Sequence, residues 1–322
     1  MELCTRLAQL GTRELVPVDH AEAPLVSLVR MLKDELGFAR VVPVLADITS
    51  RARMAEVFSR HRPDVTFHAA AYKQVPLLEA SPVEGVATNV LGTRWVVEAA
   101  HRAGVRRFVL FSTDKAVQPT SILGQTKAVA EWIVAAAGRE PGRGAYASVR
   151  LGNVLDSAGS IVPVFRRQIA RGGPITVTHP EATRYLMTAP EAAGLALAAG
   201  ALADSNSVFW LDVGPPVRVI DLARRLASSV FPDVGIQLVG LRPGERLHEW
   251  PFSNRDEVAP TARDHVWRSR MSPVDSKLLA DRLAALARQV ERADAAGVRA
   301  TLADMHSASM QEAAAPTELV AG

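Results

Sequence analysis

The chain has 322 residues, 48% of them hydrophobic, which is enough core for one large domain or two intimate ones. Its 37 basic and 34 acidic residues leave a net charge of +3, and that near-balance makes no electrostatic case for nucleic acid. One cysteine, Cys4, excludes an intrachain disulfide and a cysteine-based metal cluster, and no apolar run reaches the roughly 18 residues of a membrane span. Such cysteine usage suits a reducing cytoplasm, and the first residues do not read as a signal peptide.

Leu3, Leu7 and Leu10 recur at helical spacing, with Gly11 as a C-cap. A short strand is expected from Leu15 to Asp19, then a helix over 22–36, and a strand from Val41 to Leu45 that ends at Asp47. A helix over 50–61 has Ser50 as its candidate cap. Next come a strand Val65–Ala69, a helix Val83–Ala103, a strand Phe108–Phe111, a helix Ile122–Ala137 and a strand Ala147–Leu151. This alternation predicts an α/β fold with a parallel, doubly wound sheet. Beyond Asn153 the pattern loosens into short elements punctuated by Gly and Pro. An amphipathic helix is expected over Lys277–Ala295, and a disordered tail from about Ser307.

The run Phe111-Ser112-Thr113-Asp114-Lys115 ends an apolar strand in two hydroxyls, a carboxylate and an ammonium. Open α/β sheets bind ligands at that end of their strands. The run also reads as a capped turn into a helix, with Thr120 or Ser121 as N-cap. Asp19 and Asp47 each end a strand, where a helix cap or turn residue is the alternative to a ligand contact. Asn89 falls inside a helix, which disfavours Asn, so it reads as a buried structural amide or a site support. Lys127 lies one helical turn after Leu123, on the same face. His68, behind small residues, reads as structural. No His/Asp/Glu grouping has metal-ligand spacing.

Six blocks together resemble the polysaccharide-biosynthesis branch of the extended short-chain dehydrogenase/reductases, the inverting UDP-N-acetylglucosamine 4,6-dehydratases. They are Phe67-His68-Ala69-Ala70-Ala71-Tyr72-Lys73-Gln74-Val75-Pro76, Thr88-Asn89-Val90-Leu91-Gly92-Thr93, the Ser-Thr-Asp-Lys run, Val149-Arg150-Leu151-Gly152-Asn153-Val154, Thr183-Arg184-Tyr185-Leu186-Met187-Thr188 and Leu241-Arg242-Pro243-Gly244-Glu245-Arg246-Leu247. They fall in the family's order across roughly residues 1–306. The resemblance implies a Rossmann-like NAD-binding domain over 1–152, a substrate lobe mixed with returning core segments over 153–275, C-terminal helices over 276–306 and a tail over 307–322.

It also implies roles. Asp19, Asp47, Ile48, Ala69, Ala70, Ala71, Asn89 and Lys127 would serve NAD, with Asp19 on the adenosine ribose favouring NAD over NADP. Asp114 would protonate the leaving 6-hydroxyl, Lys115 would take the C5 proton, and Thr113 would hydrogen-bond the sugar. Lys127 matches the lysine of a Tyr-x-x-x-Lys motif. Lys73, Asn153, Arg184, Arg242 and Glu245 would meet a UDP-sugar, with arginine forks suited to the diphosphate. A homo-oligomer is a further expectation.

Three departures stand against this pattern. No Gly-x-Gly-x-x-Gly precedes Asp19, Leu123 occupies the tyrosine position, and Asp156 stands where the family has Gly. In the usual strand order 3-2-1-4-5-6 the first strand is central. Its loss would leave the strands at 15–19 and 65–69 without a common neighbour. The chain is therefore expected to be a truncated form of a longer protein, with a natural fragment or a strand supplied by another chain as alternatives. A related epimerase and a non-catalytic nucleotide-sugar-binding protein are the rival functions.

Overall fold

The computed structural model describes residues 1–312 apart from 140–143, 158, 205, 231–233, 254–255 and 273. Its main sheet has six strands in the spatial order Val258–Pro260, Val266–Arg270, Ser207–Leu211, Ala145–Leu151, Arg107–Thr113 and Val65–His68. The last four run parallel, and the first two pair antiparallel. The central strand reads as an unbroken apolar run because both of its faces are covered: Phe108, Val109 and Leu110 are all buried. On one face Phe108, Leu110 and Tyr146 pack beneath the helices Thr93–Arg102 and Ile122–Gly138. On the other, Val109, Ala147, Val149 and Phe209 meet Leu195 and Ala199 of the helix Ala189–Leu202. The expected doubly wound α/β architecture is thus present.

A second sheet stands apart, with Val18–Asp19 parallel to Val44–Leu45. Among the described residues no strand joins it to Val65–His68, which forms the edge of the main sheet with Val65 exposed. This is the separation expected from the strand pattern. Both strands are also shorter than expected. Backbone bonds do run along 15–19 and 40–46, from Val42 N to Leu15 O, Val44 N to Pro17 O and Ala46 N to Asp19 O. Pro17 falls where the strand would next donate after Leu15 N and has no N–H, so regular pairing is confined to two residues a side. A small cluster of Leu15, Leu28, Leu32 and Val41 is the buried core of this unit.

The helix expected over 83–103 is Pro82–Gly85, a π-helical turn Val86–Gly92 and Thr93–Arg102. Two helices, Ser276–Glu291 and Ala295–Glu312, fill the region expected to be helical over 276–306; the first ends short of the expected 295, and the second passes the predicted boundary at 306. The reason is burial: Val298, Leu302 and Met305 join the main core beside Leu279, Leu283 and Leu286. The rest of the predicted tail, 313–322, lies outside the described residues. A smaller lobe packs the helices Ile161–Ala170 and Val219–Val230 on a parallel pair, Ile175–Val177 and Ile236–Leu238, around Phe165, Ile169 and Ala223. No helix among the described residues is long and apolar enough to cross a membrane.

Candidate active site

The Arg107–Thr113 strand delivers Asp114 and Lys115 to the carboxyl end of the main sheet, in a single 3-10 turn, Asp114–Ala116. The helix Ile122–Gly138 starts directly against this turn, with Ser121 as its N-cap accepting from Gly124 N at 3.1 Å. A Cβ on Gly124 would collide with the Lys115 carbonyl oxygen, so only glycine lets the helix approach the turn this closely.

Asp114 is fully buried, and Lys115 Nζ lies 2.9 Å from its Oδ1, which also accepts from Thr113 Oγ1 at 3.0 Å. Lys115 Nζ reaches Asn153 Oδ1 at 3.4 Å. A second carboxylate closes the group: Glu249 Oε1 is 3.7 Å from Lys115 Nζ. Asp114 Oδ2 and Glu249 Oε2 are buried with no hydrogen-bond partner among the described residues. Burial pushes the Glu249 carboxyl above the usual carboxylate range, opposed by the Lys115 charge and reinforced by that of Asp114. Burial, and then the Asp114 charge, also raise the Tyr185 hydroxyl. The Tyr185 ring stands edge-on to Trp210, and its carbonyl accepts from Asn153 N.

Three guanidiniums pin the irregular segment that carries Glu249. Arg184 donates to the carbonyls of Thr183, Leu247 and Arg246. Arg246 donates to Thr120 Oγ1 at 2.8 Å and to Val117 O at 2.9 Å. Arg150, gripped by Glu131 through two bonds of 2.8 and 3.0 Å, donates to Pro251 O at 3.0 Å. Glu249 lies just past the last matched sequence block. The available signal was a carboxylate two residues beyond a turn already tied to the site. For Glu131, the signal was its i,i+4 spacing from Lys127, the only other charged residue of the helix Ile122–Gly138.

The structure brings together Thr113, Asp114, Lys115 and Asn153 but uses other expected residues differently. The Arg184 guanidinium is committed to backbone carbonyls rather than free to grip a ligand. Arg242 and Glu245 bond each other, with Arg242 Nε 2.9 Å from Glu245 Oε1, across a turn whose Gly244 has φ 78°. Lys73 Nζ reaches Ser157 Oγ at 3.3 Å, linking the 72–74 loop to the loop after Asn153. Asp156 takes φ 57°, the left-handed conformation a glycine would adopt, and pairs with Arg166 at 2.8 Å. Its negative charge is therefore partnered, at the surface.

On the other side of the strand end, Lys127 is buried and donates to the carbonyl of Phe111. Desolvation lowers its titration point to about 8. Leu123 is buried in the main core, as in the plain reading of a core leucine at that position. Asn89 is fully buried in the π-helical turn. It accepts from Tyr72 N at 2.8 Å and donates to Tyr72 O at 3.0 Å, so it fixes the loop after Ala69, Ala70 and Ala71. The π-helical turn and these three bonds, the last to Thr126 Oγ1, explain an amide inside a helix. His68 bonds Thr93 Oγ1 at 2.9 Å, and burial holds its titration point near 3, so it is neutral and structural. Asp19 and Asp47 each accept a backbone N–H two residues on, from Ala21 and Thr49, in Asx turns that leave part of each carboxylate exposed. Ile48 lies over Gly92, where a Cβ would meet its Cδ1 at 2.7 Å.

Residues 1–271 match the family described as polysaccharide biosynthesis protein. The chain is 42% identical over 263 residues to the capsular polysaccharide biosynthesis protein CapD of Staphylococcus aureus, covering 80% of this chain and 44% of that protein. It thus spans less than half of that relative's length. Among solved structures, Pen from Bacillus thuringiensis superposes with a TM-score of 0.75 at 24% identity, over 87% of this chain and 92% of that one. The UDP-glucose 4-epimerase of Thermotoga maritima with UDP-glucose gives 0.66 at 20% identity, over 75% and 83%. At these identities the structural likeness speaks for the fold.

Proposed function

Because the chain belongs to the polysaccharide biosynthesis protein family, we propose that it is an inverting nucleotide-sugar 4,6-dehydratase. It would work with NAD on UDP-N-acetylglucosamine or a similar UDP-sugar. The observation that carries this reading is the pairing of the buried Asp114 with the partly buried Lys115 at the sheet's carboxyl end, 2.9 Å apart, with one carboxylate oxygen unpartnered among the described residues.

Elimination of water across C5–C6 needs a base for C5–H and an acid for the departing 6-hydroxyl. Passing one proton from Lys115 Nζ to Asp114 creates both, a neutral amine and a carboxylic acid, without changing the net charge of a buried site. The C5 proton then goes to the amine, while the Asp114 proton leaves with the hydroxyl as water. Thr113 and Asn153 orient the pair from either side. Bound NAD would supply the hydride acceptor for C4, the 4-hydroxyl proton passing to solvent, and the hydride returned to C6, with C5 then taking a proton from solvent.

The residues present fit the two ends of that cofactor. Asp19 and Asp47 present partly exposed carboxylates at adjacent strand ends, where adenosine would lie. Ala69, Ala70 and Ala71 leave room beside the backbone. Lys127 holds a cation beside the strand end for the nicotinamide ribose. Residues 1–19 contain no glycine-rich turn to cradle the pyrophosphate. On the substrate side, Lys73, Arg242 and Glu245 remain candidates for the nucleotide, the last two once their mutual pair opens. Arg184 acts indirectly, by holding the segment that bears them.

Incubation of the chain with NAD and UDP-N-acetylglucosamine tests this reading by product mass. A nucleotide sugar lighter by one water is expected. An isomer of unchanged mass would identify an epimerase instead, and tight UDP-sugar binding with neither product would identify a binding protein.

A further inference from the structure

Glu249 adds a second carboxylate to an ammonium that already has one. Its Oε1 lies 3.7 Å from Lys115 Nζ, it stands in the irregular 242–251 segment, and its side chain is only 3% exposed. Three guanidiniums hold its segment in place, so this proximity is built into the fold. The charged groups around it belong to this cluster: Lys115, Asp114, Arg184 and Arg246. The two arginine heads are spent on backbone carbonyls and Thr120, leaving Lys115 as the cation that Glu249 approaches.

We propose that Glu249 is a positioning residue that sets the charge on Lys115. When Glu249 is ionised, the ammonium is held between two carboxylates and keeps its proton. When Glu249 carries a proton, only Asp114 faces the ammonium, and the Lys115 proton can pass to Asp114 Oδ1. That transfer breaks an N–H bond, forms an O–H bond and needs no other reactant. The burial that favours the protonated carboxyl works in the direction of release. The catalytic meaning of this switch rests on the dehydratase reading, but the electrostatic coupling does not.

The test reads Lys115 directly. The folded chain is pulse-labelled with acetic anhydride across pH, and the Lys115 peptide is quantified by mass spectrometry. In Glu249→Gln, Lys115 loses an anionic neighbour, so its half-reactive pH is expected to fall by about one unit or more relative to the wild type. Labelling of distant Lys277 serves as the reference. An unchanged or raised half-reactive pH overturns the proposal. Should Glu249→Gln fail to fold, Glu249→Asp draws the same charge back by one methylene and is read the same way, with a downward shift in support and none against. A merely structural Glu249 would lower the melting temperature without moving the labelling curve. Because labelling needs no turnover, a chain inactive on every UDP-sugar can still show the shift, so failure of the coupling and failure of the dehydratase reading are told apart.

Discussion

Lys127 carries an electrostatic cost that the folded chain accepts, and that cost has a defined pH window. Its ammonium is buried and finds the Phe111 carbonyl, and desolvation lowers its titration point from 10.5 to about 8. Below about pH 8 the folded and unfolded states both hold the proton, so the full burial cost is present. Between about 8 and 10.5 the folded state loses the proton while the unfolded state keeps it, and stability rises with pH by up to about 1.4 kcal/mol per unit. Lys127→Met lacks this dependence. The difference in urea midpoint between the two chains should therefore favour the variant below about pH 8 and shrink toward pH 10.5; a difference that stays flat would contradict the burial assigned to Lys127. The chemistry-bearing residues were legible at this scale because strand ends announce them: Asp114 and Lys115 follow an apolar run directly. What those residues touch was less legible. Arg184 looked like a ligand fork, yet three of its five N–H donors go to backbone carbonyls, and only the fold reveals where those carbonyls lie. Asp156 looked like an added anion, yet Arg166 ten residues on neutralises it.

At the scale of elements, the sheet strands and the helices between them followed from hydrophobic period, and Ser50 and Ser121 both cap as their positions suggested. The 242–251 segment did not, because it has no period to read. Its shape comes from long-range guanidinium bonds, and Arg246 alone ties it to Val117 and Thr120, more than a hundred residues away in sequence. Arg246→Ala removes those two bonds without stranding a fully buried charge. A stability loss of roughly 1–2 kcal/mol is expected, together with faster amide exchange over 242–251. Activity should fall further than stability, since the segment that bears the candidate substrate residues Arg242 and Glu245 is no longer fixed over the site. Exchange rates over 242–251 equal to those of the wild type would show that Arg246 does not hold the segment. The second C-terminal helix was foreseen only as part of a helical region ending at 306. Its apolar residues Val298, Leu302 and Met305 lie inside that region and join the core, while the serine, alanine and polar residues of 307–312 read as a tail although the helix continues through them.

At the scale of the whole molecule, the division into two sheets should appear in its opening behaviour. The six-stranded sheet is covered on both faces, whereas the Val18–Asp19 and Val44–Leu45 pair rests on a small cluster around Leu28 and Leu32. Native-state hydrogen exchange should therefore show amides of 15–46 opening at lower denaturant than those of Arg107–Thr113 and Ala145–Leu151. Coincident opening of the two regions would mean that they behave as one cooperative unit. The separation was foreseeable because the strand order of the fold leaves the two regions without a shared neighbour; the contraction to two-residue strands needed Pro17 and the backbone bonds to be seen together. The chemical claim spans both the sheet and the segment over it, and it is tested most directly by running the reaction in deuterium oxide with UDP-N-acetylglucosamine and NAD. The wild-type product should have lost one water and carry deuterium at C5, while Lys115→Met, still folded and still binding UDP, should yield neither change. Loss of water with undiminished C5 labelling in Lys115→Met would contradict the assignment of Lys115 as the base.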